Sequence, residues 1–308
     1  MKRRLLFVFL DGVGLGPGDP AVNPFAAGRL PTFTDLLDGA APVLEAAPLR
    51  ARRATLLGLD ATLGTPGLPQ SGTGQAALLT GEDAPRLFGR HFGPWTPTAL
   101  RPLVAGRSIL ARARDAGRAI AFANAYPEEL VAAAGPDLGR LPGPLRAGPP
   151  LAALGAGVLT RHTAELASGR ALASEIVNDG WRERLHRRTV PSIAPADAGR
   201  ILAELAGIHD LTLFAHYATD YVGHRGGMPE AVAALERVDA FLAGLLDALP
   251  ADVLLLVASD HGNIEDVHAE HTTNPALGLV AGDGHEELRE MQALTDVAPA
   301  VLRWLEIE

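Results

Sequence analysis

Carboxylates and imidazoles collect at the ends of apolar runs in this chain. Asp260 and His261 follow Val253-Leu254-Leu255-Leu256-Val257-Ala258-Ser259, and Asp11 follows the run 5–10. His271 opens His271-Thr272-Thr273-Asn274-Pro275, an irregular turn. Asp220 and His224 stand four apart in Thr219-Asp220-Tyr221-Val222-Gly223-His224. On a helical turn that spacing puts both side chains on one face, able to grip one ion. Taken alone, a pair four apart is an ordinary surface pair, and a loop histidine is usually just exposed. Several such groups placed at strand ends are what a site for two divalent metals needs. Phosphoryl transfer is the chemistry that such a site serves.

A nucleophile is offered by Pro69-Gln70-Ser71-Gly72-Thr73-Gly74-Gln75, a small Gly-rich turn leading into the apolar stretch 76–79. Ser71 is expected at a helix N-terminus, where free backbone N–H groups and the helix dipole favour a phosphate. A serine there is most often only a cap. A metal ion nearby would lower the pKa of its hydroxyl and make it a nucleophile. Thr73 is the competing hydroxyl.

The elements that must position these groups read as an α/β fold: a doubly wound, mainly parallel sheet with helices on both faces. Strands are predicted at 5–10, 119–124, 211–216, 253–258 and 277–281, and helices at 103–116, 195–207 and 229–248. Thr295 or Asp296 is placed to cap a last helix. In open parallel sheets ligands bind beyond the carboxyl ends of strands. Asp11, Asp260 and His261 would all stand there. The stretch 126–194 differs, with poor periodicity and breaks at Pro136, Pro142, Pro144, Pro149 and Pro150. It reads as a small inserted lobe, cap-like over the site, within a core made of 1–125 and 195–308.

Composition narrows the function. The 308 residues carry a net charge of -9 with no basic run, which argues against nucleic acid or an anionic membrane as partner. No apolar stretch free of charge is long enough to span a bilayer. The short run 5–10 ends in Asp11 and reads as a buried strand rather than a leader, so a cytoplasmic protein is expected. There is no cysteine, which removes thiolate metal sites and cysteine nucleophiles. Lys2 is the sole lysine, so arginine must supply cationic contacts. Arg90, His91, Arg161 and His162 are the weaker candidates for contacting substrate. His216 reads as a support for the metal pair or as a core histidine, and Trp95, Trp181 and Trp304 as packing residues. The oligomeric state is not legible.

Asp11, Ser71, Asp220 with His224, Asp260-His261-Gly262-Asn263 and His271-Thr272-Thr273-Asn274-Pro275 together resemble the metal-site motifs of the alkaline phosphatase superfamily. Val222-Gly223-His224, Asp260-His261-Gly262-Asn263 and the helix start Leu294-Thr295-Asp296-Val297-Ala298-Pro299 are similar to its cofactor-independent phosphoglycerate mutase branch, with phosphopentomutase near it. The resemblance implies two divalent ions, manganese or zinc. Asp11, Ser71, Asp260 and His261 would hold one, and Asp220, His224 and His271 the other. It implies attack by Ser71 on a small phosphorylated metabolite, through a phosphoserine, as a phosphatase or, second, as a phosphomutase. A non-catalytic metal- or phosphate-binding member of the fold is the third reading. The chain departs from the mutases at Gly74-Gln75, where they carry a Gly-His pair, in lacking an active-site lysine, and in the small size of its lobe. These departures tilt the reading towards hydrolysis. Ser71-Gly72-Thr73-Gly74-Gln75 does not fit the sulfatase pattern.

Overall fold

A computed structural model describes residues 3–307; Lys2 lies outside the described residues. Short runs rich in Leu, Val and Phe form one seven-stranded sheet. The strands are β1 (Arg4–Leu10), β2 (Leu49–Arg50), β3 (Ala54–Leu59), β4 (Ile120–Phe122), β5 (Leu211–His216), β6 (Val253–Ala258) and β7 (Ala276–Ala281). Their order is β2-β3-β7-β6-β1-β5-β4. The block β6-β1-β5-β4 is parallel throughout. The pairs β6/β7, β7/β3 and β3/β2 are antiparallel.

The period of two in a strand explains the layers. Leu5, Phe7 and Phe9 of β1 face one side, against a group of helices: α1 (Ser71–Thr80), α2 (Arg101–Arg107), α3 (Ile109–Asp115), α4 (Gly148–Gly155) and, later in the chain, one at Leu294–Trp304. Leu6, Val8 and Leu10 face the other side, against α5 (Pro195–Gly207) and α7 (Met228–Ala248), with α6 (Ala218–Arg225) between those two in the chain. The Leu294–Trp304 helix is α8. Both faces of β1 are therefore covered, and its side chains from Leu5 to Leu10 are buried. Strands buried on both faces read as continuous apolar runs, which is why β1, β5 and β6 stand out in the sequence.

Three expectations change. The helix expected over 103–116 is two helices, because Ser108 takes an extended conformation and its Oγ caps α3 at Ala111 N–H. The last strand runs antiparallel, and β2 and β3 join the sheet beyond it. Ala293, not Thr295 or Asp296, is the N-cap residue of α8; Asp296 lies inside the first turn and reaches back to accept from Gln292 and Ala293 N–H.

Between residues 126 and 194 the described chain forms short helices, among them Glu128–Ala132, α4, Thr163–Ala167 and Asp179–Glu183. Leu141, Leu145 and Leu151 pack in the same apolar layer as α1. Leu166, Ala173, Trp181 and Val190 form a separate small cluster. Among the described residues no helix is long and apolar enough to cross a membrane.

Candidate metal centre

Register sets the site. Phe9 of β1 pairs with Ala258 of β6, and Leu10 pairs with His216 of β5. Asp11 and Asp260 each follow two residues behind a paired position, so both emerge at the same end of adjacent strands. Asp220 and His224 hang from α6, which follows directly after β5. The irregular segment between β6 and β7 returns His271 to the same place. Gly12 has φ +65, and a Cβ there would stand 2.6 Å from Asp220 Oδ1. At Gly74, in α1, a Cβ would stand 2.6 Å from the Asp260 carbonyl. Only glycine lets these backbones approach so closely.

The ligand atoms converge in two groups that share Asp220. One is Asp220, His224 and His271; the other is Asp11, Asp220 and His261, with the candidate atoms of each within 4.8 Å of one another. Asp220 Oδ1 lies 3.5 Å from His224 Nε2, 3.8 Å from His271 Nε2 and 4.0 Å from His261 Nε2. His261 Nε2 is also 3.4 Å from Asp11 Oδ1 and 3.7 Å from Asp260 Oδ2. Ser71 Oγ is 2.9 Å from His261 Nε2. The rings of His261 and His271 stack at 4.1 Å, and His224 Nε2 lies 3.1 Å from His271 Nε2.

These donors fit divalent cations. Asp11 Oδ1 and Asp260 Oδ2 are buried and have no hydrogen-bond partner. Buried carboxylate oxygens without a donor are costly, and a cation is the ordinary remedy. His271 directs Nδ1–H to the Pro69 carbonyl at 2.6 Å, and His261 directs Nδ1–H to the Gly262 carbonyl at 3.3 Å. Both rings therefore turn Nε2 inward, the edge with which a metal-bound histidine meets its ion.

The electrostatics agree. Burial, then the charge of Asp260, pushes the Asp11 carboxyl well above its usual range, and burial raises Asp260 as well. Burial alone would lower His261; Asp260, Asp11 and Asp220 outweigh it and hold its pKa up at about 10. Burial, then the charge of His261, lowers His271 to about 4. With protein charges alone, an imidazolium is the counter-charge for three acids. Divalent cations would supply that charge instead.

A supporting residue escaped the sequence reading. Glu265 is fully buried. Its Oε2 accepts from Gly14 N–H at 2.9 Å and Asn263 N–H at 2.7 Å, and its Oε1 from Thr272 Oγ1 at 2.5 Å and Asn274 Nδ2 at 3.1 Å. It ties the segment after β1 to both halves of the β6–β7 excursion. A lone glutamate in an irregular stretch carries no periodic signal. Asn263 Nδ2 likewise donates to Asp220 Oδ1 at 2.7 Å. Gln75 Nε2 donates to Asp11 Oδ2 at 3.3 Å while its Oε1 accepts from Gly148 N–H at 2.8 Å, joining the acid to α4.

Ser71 and Thr73 part company here. Ser71 is the first residue of α1 and lines a cavity of about 510 Å³ with Asp11, Asp220 and His224. Thr73 is fully buried and its hydroxyl is engaged by the Gln70 carbonyl and Phe92 N–H. The same cavity is lined by Tyr126, Tyr217 and Tyr221, all three tyrosines of the chain, and by Trp95, whose ring is part of its wall rather than of the core. Burial raises the pKa of both Tyr126 and Tyr217, so both are neutral phenols.

Arg90, His91, Arg161 and His162 are not among the residues lining this cavity. His91 Nε2 is taken by the Thr65 carbonyl, and Arg90 lies exposed beside the Phe88 and Phe92 rings. Arg161 donates to the Arg170 and Phe122 carbonyls, and His162 Nδ1 to the Tyr126 carbonyl. His91, Arg161 and His162 thus tie chain segments together. His216 is a core histidine: it donates to the Ser174 carbonyl at 2.7 Å, and burial lowers its pKa to about 4. Trp304 packs beneath Arg3 and donates to the Arg4 carbonyl.

The chain is similar to known proteins in part of its sequence and in its fold. A family model described as the Metalloenzyme superfamily matches residues 196–308, the part that holds Asp220, His224, Asp260, His261 and His271. The 2,3-bisphosphoglycerate-independent phosphoglycerate mutase of Chloroflexus aurantiacus is 38% identical over 130 residues, covering 37% of this chain and 24% of that protein. The chain thus spans about a quarter of the length of the curated relatives it matches. The alkaline phosphatase from the Antarctic bacterium TAB5 has the same fold, with TM-score 0.51 and 11% identity over 100% of this chain and 99% of that one. The Leishmania mexicana phosphoglycerate mutase, at low cobalt concentration, matches with TM-score 0.52 and 13% identity over 100% and 96%.

Proposed function

We propose that this chain, which belongs to the alkaline phosphatase superfamily and resembles its phosphoglycerate mutase branch, is a two-metal phosphoryl-transfer enzyme that hydrolyses a small phosphorylated metabolite. The observation that carries the reading is Ser71 Oγ, 2.9 Å from His261 Nε2, facing a cavity shared with Asp11, Asp220 and His224. Asp11, Ser71, Asp260 and His261 would hold one ion and Asp220, His224 and His271 the other, with Asp220 near enough to both groups to bridge them. Manganese and zinc both suit this oxygen and nitrogen donor set. When bound, the ions supply positive charge that favours the ionised serine and the charge that develops on the transferring phosphoryl group.

The chain's own groups do the rest. Ser71, fixed at the start of a buried helix, attacks phosphorus in line with the leaving oxygen. A phosphoserine forms and the alcohol departs with a proton. Water then hydrolyses the phosphoserine and releases inorganic phosphate. Asn263 and Gln75 orient Asp220 and Asp11 through their amides. Tyr126, Pro144 and Ser174 wall the cavity, which supports a cap-like role for the middle segment 126–194, although its α4 also packs into the apolar layer of the core formed by 1–125 and 195–308. Nothing in the charge pattern favours nucleic acid or a membrane as partner, and a cytoplasmic location is proposed.

The test is to incubate manganese- or zinc-loaded protein with p-nitrophenyl phosphate. Phosphate release that Ser71→Ala lowers by about 10⁴-fold or more is expected. The names of the curated relatives favour a mutase as second reading. Interconversion of phosphoglycerates or of pentose phosphates, without phosphate release, would establish it. Metal binding with neither activity would leave a non-catalytic member of the fold.

A further inference from the structure

A second cavity, of about 690 Å³, adjoins the first, and nothing so far uses it. Both are lined by Tyr126, Pro144 and Ser174, so they meet along one wall. Leu130, Ala133, Trp181 and Leu185 contribute its apolar surface. Leu185 is 43% exposed, a large apolar side chain held at an open edge. Cavities of this size are in the range that holds small-molecule ligands.

The charges point to an uncharged occupant. Glu129, Glu175 and Arg184 are the charged residues lining this cavity. Arg184 pairs with Glu175 at 3.0 Å and Glu129 with Arg187 at 2.5 Å. No free cation is left there to receive a carboxylate or a second phosphate. In the first cavity the one arginine is Arg225, exposed, with its guanidinium 4.4 Å from the Tyr221 ring centroid. A three-carbon phosphorylated acid would leave the second cavity empty and find only Arg225 for its carboxylate.

On the reading that Ser71 receives the phosphoryl group, we infer that the second cavity is the leaving-group subsite and takes an uncharged, apolar body of about two-ring size. The substrate class is then a phosphomonoester of an apolar or aromatic alcohol. Its phosphate lies against Ser71, and its body passes Tyr126 onto Trp181, Leu130 and Leu185.

Phosphonates that cannot be hydrolysed separate this subsite from turnover. Manganese-loaded protein is titrated calorimetrically with benzylphosphonate and with (biphenyl-4-yl)methylphosphonate. Burying the second ring is expected to tighten binding by about tenfold or more. Leu185→Glu, on an exposed edge where folding is not at risk, should bring the two affinities within about twofold, as expected for a charge set into an apolar contact. Ile208→Glu, on an exposed residue elsewhere, should leave the ratio unchanged. Equal affinity of the wild-type protein for the two phosphonates, or a preference that Leu185→Glu does not touch, overturns the subsite and leaves the phosphoryl-transfer reading standing. A tenfold preference without turnover of any phosphomonoester overturns that reading and leaves the subsite. Failure of both phosphonates to bind counts against both.

Discussion

The two halves of the candidate metal centre are built from different material. Asp11, Asp260 and His261 sit at the ends of β1 and β6, adjacent strands in the middle of the sheet, and are 7% exposed or less. Asp220 and His224 ride on the eight-residue α6, with Asp220 half-buried and His224 open to solvent, and only His271 from an irregular turn is buried beside them. The first half is rigid because sheet register fixes it. It is also the half where uncompensated acid is most expensive, since water cannot reach it. The second half has less to lose without a cation and can exchange one more readily. Function and metal-free stability should therefore oppose each other in the buried half and be nearly independent in the open half.

Asp260→Asn is the largest break. The amide oxygen can keep the bond from Gly12 N–H while one buried negative charge disappears. Turnover is expected to fall on the order of 10³-fold. In chelator the same variant should be more stable than wild type by about 1–3 kcal/mol, read by thermal denaturation. A less stable metal-free variant would contradict the contrast. His224→Ala is the matching change in the open half. Turnover should drop by about 10- to 100-fold, with metal-free stability within about 0.5 kcal/mol of wild type. A large loss of metal-free stability would show that the open half also holds the fold.

The pH profile sharpens the comparison. His261 has its folded pKa raised from 6.5 to about 10, so its contribution to stability is complete below pH 6.5 and is lost as pH rises towards 10. Asp11 and Asp260, also raised, act in the same direction. The melting temperature of the metal-free protein should fall between pH 6.5 and 10, and bound metal should flatten that limb. A flat profile in chelator would mean that the imidazolium is not the counter-charge. The smallest effect on turnover is expected at Gln75, whose amide touches Asp11 and α4. Gln75→Ala should cost about 1–2 kcal/mol of stability and only a few-fold in turnover.

What could be read in advance follows the same division. Asp11, Asp260 and His261 were legible because a continuous apolar run marks a strand buried on both faces, and the residues just past it fall at its carboxyl end. β5 and β6 match the predicted spans to the residue. The direction of β7 was not legible, because apolar periodicity is the same for parallel and antiparallel strands. β3, Ala54–Leu59, was missed since a six-residue stretch with Ala and Gly lacks a distinctive pattern. Glu265 and the tyrosine-lined wall were missed because they depend on contacts between distant segments. The arginines and histidines proposed to meet substrate lie outside the lining of the Ser71 cavity; basic side chains near turns bind carbonyls as readily as ligands, and only packing distinguishes the two.

The most direct measurement is to mix metal-loaded protein with a phosphomonoester, quench in acid during turnover, and map covalent phosphate by peptide mass spectrometry. Phosphate on Ser71, accumulating and decaying with the reaction, is the expected result. Turnover with no phosphoprotein at any time, or phosphate carried by Thr73 instead, would contradict the assignment of the nucleophile.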